Sequence, residues 1–448
     1  NHRFAELVEQ SPLAFIGPKA ASIAAMGDKI ESKQLALKAG VPVLPGPAEP
    51  LVGSAEAISV AEEIGFPVIL KPAAGGGGKG MRIVLDKREL EPAITNCREE
   101  AQKAFGDSRI FVERYFPHSR HIEIQIIADQ FGNIVHLGER ECSIQRRHQK
   151  VVEESPSPAF DEETRHRRGE LACRFAGEIG YVNAGTVEFL LDPDGGIHFL
   201  EMNTRLQVEH PVTEMVFSLD LVELQLIVAA GNPLPFTQKD VTMDGWAIEA
   251  RICAEDPCRD FLPSTGMITR YAEPRGKNVR VDSGVAAGSA VSIHYDSLLA
   301  KVIAWGETRD KAIRTLVQAL NRYHIEGVST NLNFVNAVLN HRSFIEGHLS
   351  TGFISQHFDQ GMTKTPPPLE ALHYMAVAAA LVYHNRNNLV RQSVEPMVTK
   401  VGQPQQKKKV SRYVIKDGKQ SFQLRILREP RLNAWTISVD DREYKVVT

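Results

Sequence analysis

The sequence predicts a multidomain chain of the α/β (α+β) class, ending in a helix followed by antiparallel strands. Three observations predict it. At 448 residues the chain exceeds one simple core, so two or three domains are expected. Apolar strand-like runs alternate with helical stretches from about residue 54 to residue 339. The last part carries evenly spaced short runs, Val410–Ile415, Ser421–Leu427, Ala434–Val439 and Glu443–Val447, the pattern of an antiparallel sheet or barrel.

Residues 1 to 27 begin helix-like, and Leu13-Ala-Phe-Ile-Gly17 before Pro18 reads as a strand end. Asp28 to Ala39 reads as a helix closed by Gly40 and Pro42, with Lys29 at its start. A second helix covers 54 to 64. Pro67 to Lys71 is a strand, and Met81 to Val84 another. Between them Gly75, Gly76, Gly77, Gly78 and Gly80 form a glycine hairpin whose bare amides, with Lys79, suit an anion. No helix follows, so the loop is not of the Walker type. Lys71 leaves a buried strand, where a cation wants a partner.

Ile110 to Phe116 is a strand with Glu113 and Arg114 at its end. His121 to Ile127 alternates strictly, so His121, Glu123 and Gln125 share a face. Asn133 to Gly138 is the next strand after a turn, and Gln145 to Glu154 then reads as a polar segment beside the strands, closing the run Glu139 to Glu154. Cys142 within it reads as a buried spectator thiol. Asp161 to Ile179 is a helix. Ala184 to Leu191 is a strand in which Glu188 is the lone charge, so Glu188 wants a metal or an ion pair. It meets Glu201 across the Asp192-Pro-Asp-Gly-Gly turn; the pair suits Mg²⁺ or, alternatively, acid/base work. Strand alternation through Phe199–Glu214 puts Glu201, Asn203, Arg205, Gln207 and Glu209 on one face, where an arginine beside a metal suits an anion.

Residues 245 to 305 are rich in strands: Trp246–Ile252, Met267–Tyr271, Val279–Val281, Val291–Tyr295 and Leu299–Trp305. Helices are expected at Asp310–Tyr323 and Asn331–Leu339, a boundary at Pro366-Pro-Pro368, and an Ala-faced helix at Leu369–Val382. A net charge of -3 gives no electrostatic case for nucleic acid or an anionic membrane, and Lys407-Lys408-Lys409 is too short a run to make one. Five scattered cysteines fit a reduced compartment. The chain opens at Asn1 without a Met and is expected to be a fragment from which any targeting sequence is missing.

Lys71, the glycine hairpin, Glu188, Glu201 and Asn203 together resemble an ATP-grasp fold. Arg146-Arg-His-Gln-Lys-Val-Val-Glu-Glu154 and Glu201-Met-Asn-Thr-Arg-Leu-Gln-Val-Glu-His-Pro-Val-Thr-Glu214 are very similar to biotin carboxylase, with Met26-Gly-Asp-Lys29 and Val279-Arg-Val-Asp-Ser283 in agreement. The resemblance covers roughly residues 1 to 358. It implies that Lys29, Lys71 and the glycines hold ATP phosphates. Glu113, Arg114 and Phe116 would sit at the adenine hinge, with His121, Gln145 and His148 near the nucleotide. Glu188, Glu201 and Asn203 would bind Mg²⁺ or Mn²⁺. Lys150, Arg205, Gln207 and Val208 would hold bicarbonate, Glu209 would be the general base, and Arg280 would face the biotin ureido group.

The resemblance implies domains at 1–27 (the end of a Rossmann-like subdomain, most of it lacking), 28–242 (ATP-grasp), 243–358 (biotin carboxylase C-terminal subdomain) and 359–448 (linker and partial subunit-contacting helix and barrel). The tail resembles acyl-CoA carboxylase α subunits, propionyl-CoA carboxylase above all. That implies a hetero-oligomer with a carboxyltransferase β subunit and a biotinyl carrier domain after Thr448, located in the cytoplasm or, in a eukaryote, the mitochondrial matrix. A 3-methylcrotonyl-CoA or acetyl-CoA carboxylase α subunit comes next, and a carbamoyl phosphate synthetase-like ligase and a non-catalytic scaffold are the further alternatives.

Overall fold

The computed structural model describes residues 1–47, 49–51, 53–73, 80–358, 368–394, 410–417, 420–429, 434–440 and 442–447. Gly75 to Gly78 and Pro366 to Pro367 lie outside the described residues. The chain divides into two compact units, Asn1–Met362 and Thr363–Thr448.

The first unit opens with helices α1 (His2–Glu9), α2 (Ala20–Gly27) and α3 (Lys29–Lys38). The expected strand end at Leu13–Gly17 is absent: the segment is turn and bend, and Leu13 is exposed. Asp28 caps α3 by accepting from the amides of Ile30 and Glu31, which fixes Lys29 at the helix start.

A small antiparallel sheet holds β1 (Val68–Pro72) between β2 (Arg82–Val84) and β3 (Ile110–Arg114), after helix α4 (Ser54–Ile64). Helix α5 (Lys87–Phe105) connects β2 to β3 and has no counterpart in the sequence reading. Its Leu90, Ile94 and Cys97 are buried against Val68, Leu70 and Val112.

A larger, wholly antiparallel sheet carries the site. Its strands are β4 (Arg120–Ala128), β5 (Ile134–Arg146), β6 (Gln149–Ser155), β7 (Asn183–Leu191), β8 (Ile197–Asn203) and β9 (Trp246–Cys253), with two more from further on. Helix α6 (Glu162–Glu178) lies between β6 and β7, and α7 (His210–Phe217) and α8 (Leu221–Ala229) follow β8. Short strands β10 (Glu255–Asp256), β11 (Leu262–Pro263), β12 (Gly266–Met267) and β13 (Arg270–Ala272) precede β14 (Val279–Ser283), β15 (Ala290–Val291) and β16 (Leu298–Gly306). The order is β14-β16-β9-β6-β5-β4-β7-β8. The strand expected over Val291–Tyr295 stops at Val291, and Tyr295 is exposed.

The polar segment expected at 145–154 is a β-hairpin: Gln145 to Lys150 are half-buried or exposed around its tip, and Val151 to Glu154 are buried strand. β5 runs on to Arg146, turns at Arg147-His148 and returns as β6. Both turn residues have positive φ, 49° and 65°. That is the backbone of a two-residue hairpin turn normally built from Asn and Gly.

Helix α9 (Arg309–Leu320) packs on β16 and β9, with β17 (His324–Glu326) and α10 (Leu332–Leu339) after it. The core there joins Ile248, Ile252 and Val302 to Leu316, Phe334 and Val338. α6 covers the other end, where Phe175 packs with Phe189 and Phe199.

In the second unit a helix, Leu369–Val394, packs on a four-stranded antiparallel meander of Val410–Asp417, Gln420–Glu429, Ala434–Val439 and Arg442–Val447. Among the described residues this sheet is open, not the expected barrel. The alanines do not share one face either: Ala376 and Ala380 are buried on the sheet, while Ala378 and Ala379 are exposed. Among the described residues no helix is long and apolar enough to cross a membrane.

Candidate active site

Sheet register assembles the site. Glu123 in β4 stands opposite Arg140 in β5 and opposite Glu188 in β7, and Glu188 stands opposite Glu201 in β8. The row Arg140–Glu123–Glu188–Glu201 therefore crosses four adjacent strands, with opposite side chains about 5 Å apart. A bulge between Glu188 and Phe189 lets one extra residue into β8. Phe199 and Met202 thus both point into the core, and Glu201 is turned out to the cleft.

Strict alternation holds from Glu201 to Asn203 and fails beyond it. β8 ends at Asn203, so only Glu201 and Asn203 belong to the strand. Arg205 and Gln207 sit in the following loop, and Glu209 is the N-cap of α7. The five residues meet through a strand end, a loop and a helix start, rather than one strand face.

Arg140 is fully buried, and each of its five N–H groups has an acceptor. They reach Glu123, Gln125 at 2.7 Å, Thr213 at 3.0 Å, Thr186 at 3.1 Å and Gln207 at 3.0 Å. Gln207 passes the connection on by donating to Glu188 at 2.7 Å. Lys150 donates to Glu123, Glu209 and, at 3.2 Å, Glu188. Burial alone would pull its ammonium down, but Glu123, with Glu188 and Glu209, drives it well above the usual lysine range. Burial would likewise push Glu123 up, yet Arg140 and Lys150 hold it at about 2.

Glu209 has a different cation on each oxygen. Lys150 donates to one, and Arg251 to the other at 2.9 Å. Arg251 comes from β9 and was missed. Its signal is the one that marked Glu188: Glu249 and Arg251 are charges within an apolar strand. Arg280, expected near the reacting groups, is not among Glu209's partners. Its guanidinium is held by Asp282 at 2.7 and 2.9 Å and by Glu214 at 2.6 Å. Arg205 is exposed at the cleft mouth, where it donates to the Leu206 carbonyl at 3.2 Å; among the described residues it makes no ion pair. The Val208 carbonyl accepts from Lys301 at 2.6 Å.

Glu188, Glu201 and Asn203 supply hard oxygen donors at one place. Glu188 accepts from Asn203 at 2.8 Å, and its other oxygen lies 2.9 Å from His121. Although Glu201 opens to the cleft, protein atoms thin the water around its carboxyl, and Glu188 repels it; both push it up. Two facing carboxylates with that cost fit a divalent cation.

The small sheet adds a cationic wall. Lys71 and Lys33 donate to opposite oxygens of Glu113 at 2.7 and 3.1 Å. Burial would raise Glu113, but the Lys71 and Lys33 cations hold it at about 2. Lys29 donates to the Pro72 carbonyl at 3.0 Å. Burial and then the Lys71 charge push Lys29 down, and the same two causes push His148 down. Three groups so crowded with positive charge suit a polyanion. Phe116 stacks on His198 with centroids 5.3 Å apart, Arg114 donates to the Ile64 carbonyl, and Gln145 bonds His121 at 2.7 Å. Gly80, the one described lid glycine, has φ of 74°.

Comparison with known proteins follows this geometry. Residues 28–237 match the carbamoyl-phosphate synthase L chain ATP-binding domain, and 249–356 match the biotin carboxylase C-terminal domain. Biotin carboxylase 2 of Bacillus subtilis is 49% identical over 357 residues, 80% of either chain. This chain belongs to the biotin carboxylase family. The propionyl-CoA carboxylase alpha chain of Ruegeria pomeroyi is 46% identical over 403 residues, which is 86% of this chain and 59% of that one. The chain thus spans little more than half the length of such relatives. Among solved biotin carboxylases, a Campylobacter jejuni enzyme in complex with β-γ-ATP matches with a TM-score of 0.77 and 45% identity over 80% of each chain. The biotin carboxylase domain of Hydrogenobacter thermophilus 2-oxoglutarate carboxylase, in complex with MgADP, ADP and bicarbonate, matches with a TM-score of 0.77 and 44% identity over 80% of this chain and 79% of that one.

Proposed function

We propose that this chain carboxylates biotin at the expense of ATP and bicarbonate, as the first half-reaction of a propionyl-CoA-type carboxylase. The observation that carries this reading is Glu209, a buried carboxylate clamped between Lys150 and Arg251 beside the Glu188–Glu201 row. A base so placed takes the proton of bicarbonate while Lys150 neutralises the anion. The freed bicarbonate oxygen attacks the γ-phosphorus of ATP, ADP leaves, and carboxyphosphate forms. Carboxyphosphate splits into CO₂ and phosphate, phosphate takes the ureido N–H proton, and the ureido nitrogen attacks CO₂. A guanidinium stabilises the ureido oxygen as it gains charge. Arg280, whose motif suggests it, and Arg251, which touches Glu209, are the two candidates for it.

Glu188, Glu201 and Asn203 would hold Mg²⁺ or Mn²⁺, which supplies charge neutralisation for the transferred phosphoryl group. Lys29, Lys71 and the glycine hairpin would cradle the phosphates, with Glu113, Arg114 and Phe116 at the adenine and His121, Gln145 and His148 along the nucleotide. Arg205, Gln207 and Val208 would line the bicarbonate side. Residues 28–242 would be the ATP-grasp domain and 243–358 the C-terminal subdomain. Residues 359–448 would contact a carboxyltransferase β subunit, and the biotin would arrive on a carrier domain.

The propionyl-CoA preference rests on reach: the likeness to the Ruegeria protein covers 86% of this chain, against 82% for a methylcrotonoyl-CoA carboxylase subunit. A methylcrotonoyl-CoA type is the second reading, since the Dictyostelium discoideum methylcrotonoyl-CoA carboxylase subunit is 47% identical over 372 residues. The test is ATP cleavage assayed with and without bicarbonate and free biotin. Dependence on both is expected, with at least a hundredfold loss in Glu209→Gln, the scale on which general bases act. Cleavage indifferent to biotin would overturn the reading.

A further inference from the structure

Behind Glu209 lies a second carboxylate pair that the scheme above leaves unused. Glu153 of β6 stands directly opposite Glu249 of β9 in the antiparallel ladder. Both are fully buried, each 0% exposed. Arg251 donates through Nε to one oxygen of Glu153 at 2.5 Å. The other oxygen of Glu153 and both oxygens of Glu249 have no hydrogen-bond partner. Buried carboxylate oxygens without donors are rare and call for an explanation.

Charge counting supplies one. The ionisable groups facing the pair are Lys150 and Cys142 from β6 and β5, Glu209 from the start of α7, Arg251 on β9 and Lys301 on β16. Lys150 is spent on Glu123, Glu188 and Glu209. Lys301 is spent on the Val208 carbonyl and on Asp282 at 3.3 Å. The Cys142 thiol is buried and held neutral. Arg251 alone remains for Glu153 and Glu249, and it also shares Glu209 with Lys150. Two facing buried carboxylates cannot both ionise cheaply.

We propose that Glu153 and Glu249 form a one-proton carboxyl pair that aims Arg251 at Glu209, making both positioning residues for the reaction proposed above. With one proton on the pair, a single anion anchors Arg251 through Nε and Nη2, and Nη2 also reaches Glu209. When the second proton leaves, two anions compete for the guanidinium and draw it off the base. Burial first, and then the neighbouring carboxylates, push both groups up, Glu153 to about 7 despite the Arg251 cation. Activity should therefore fall on the alkaline side as the pair empties.

The test is the pH profile of kcat/KM for bicarbonate-dependent ATP cleavage in the full chain. Glu249→Gln cannot ionise, so its alkaline limb should move up by at least about one unit, the separation coupled pairs show. A purely structural role would lower activity without moving the limb, and superimposable profiles would overturn the proposal. Infrared difference spectra give a second reading that needs no activity and no substitution in the pair itself. A protonated-carboxyl carbonyl band should persist at neutral pH in the wild type and in Glu209→Gln, and its absence would also overturn the proposal. A protein that shows the band but no biotin-dependent turnover would sink the proposed reaction and leave the pair standing.

Discussion

Two arginines compete for one assignment. Arg251 touches Glu209 and is anchored by Glu153, with its side chain 17% exposed. Arg280 is 36% exposed in its side chain and already shared between Asp282 and Glu214. Both guanidiniums are aimed by two carboxylates each, and Arg251 is the more desolvated of the two. Arg251→Gln should lower kcat by at least about a hundredfold with the KM for ATP little changed. Arg280→Gln should leave kcat within a few fold, because its partners lie outside the Lys150–Glu209–Arg251 cluster. Parallel steady-state assays decide it; the reverse ranking would restore Arg280 to the role its motif suggested.

At the scale of the element, the hairpin turn between β5 and β6 carries a cost. Arg147 and His148 adopt left-handed backbone, which costs about 1–2 kcal/mol for a residue other than glycine. His148 stands near the Lys71 charge, which after burial pushes its imidazole down. Arg147 points outward to Asp260 with both side chains mostly exposed, a contact that contributes little. Arg147→Asn should therefore stabilise the chain by up to about 1 kcal/mol, read as a higher urea midpoint, with unaltered ATP KM. A lowered midpoint would show that the turn is not strained.

This turn also marks how far the sequence could be read. Period-two alternation located β4, β7 and β9, because each buries one continuous apolar face. It failed between residues 139 and 154, where Glu139, Glu141, Glu153 and Glu154 are buried charges that look like loop. Their partners, among them Arg165 and Arg309, come from distant elements and cannot be paired by spacing. Alternation failed again beyond Asn203, because the strand ends there and the chain goes on as loop and helix. The Glu188–Glu201 pairing was legible from a tight turn joining two short strands; the Arg251–Glu209 contact needed the sheet.

Over the whole molecule, buried carboxylates pull stability in two directions. Glu113 in the small sheet and Glu123 in the large one are each held at about 2, below the usual 4.5. A depressed folded value means stability present above about pH 4.5 and lost as pH falls through 2. Glu153, raised to about 7, has the opposite sign: its contribution is complete below 4.5 and is lost as pH rises through 7. Urea unfolding of the chain should thus weaken steeply below pH 4.5, and Glu113→Gln should flatten that slope; an unchanged slope would count against the Lys33–Glu113–Lys71 arrangement. One consequence of the row across four strands concerns a chain still being made. Glu123, Arg140, Lys150, Glu188, Glu201 and Glu209 precede Arg251 in order of synthesis, and β9 slots between β6 and the late-arriving β16. A nascent polypeptide halted on the ribosome before residue 246 owns the nucleotide wall and the base but lacks the strand that aims it. Under the proposed chemistry, no half-made copy could squander cellular ATP.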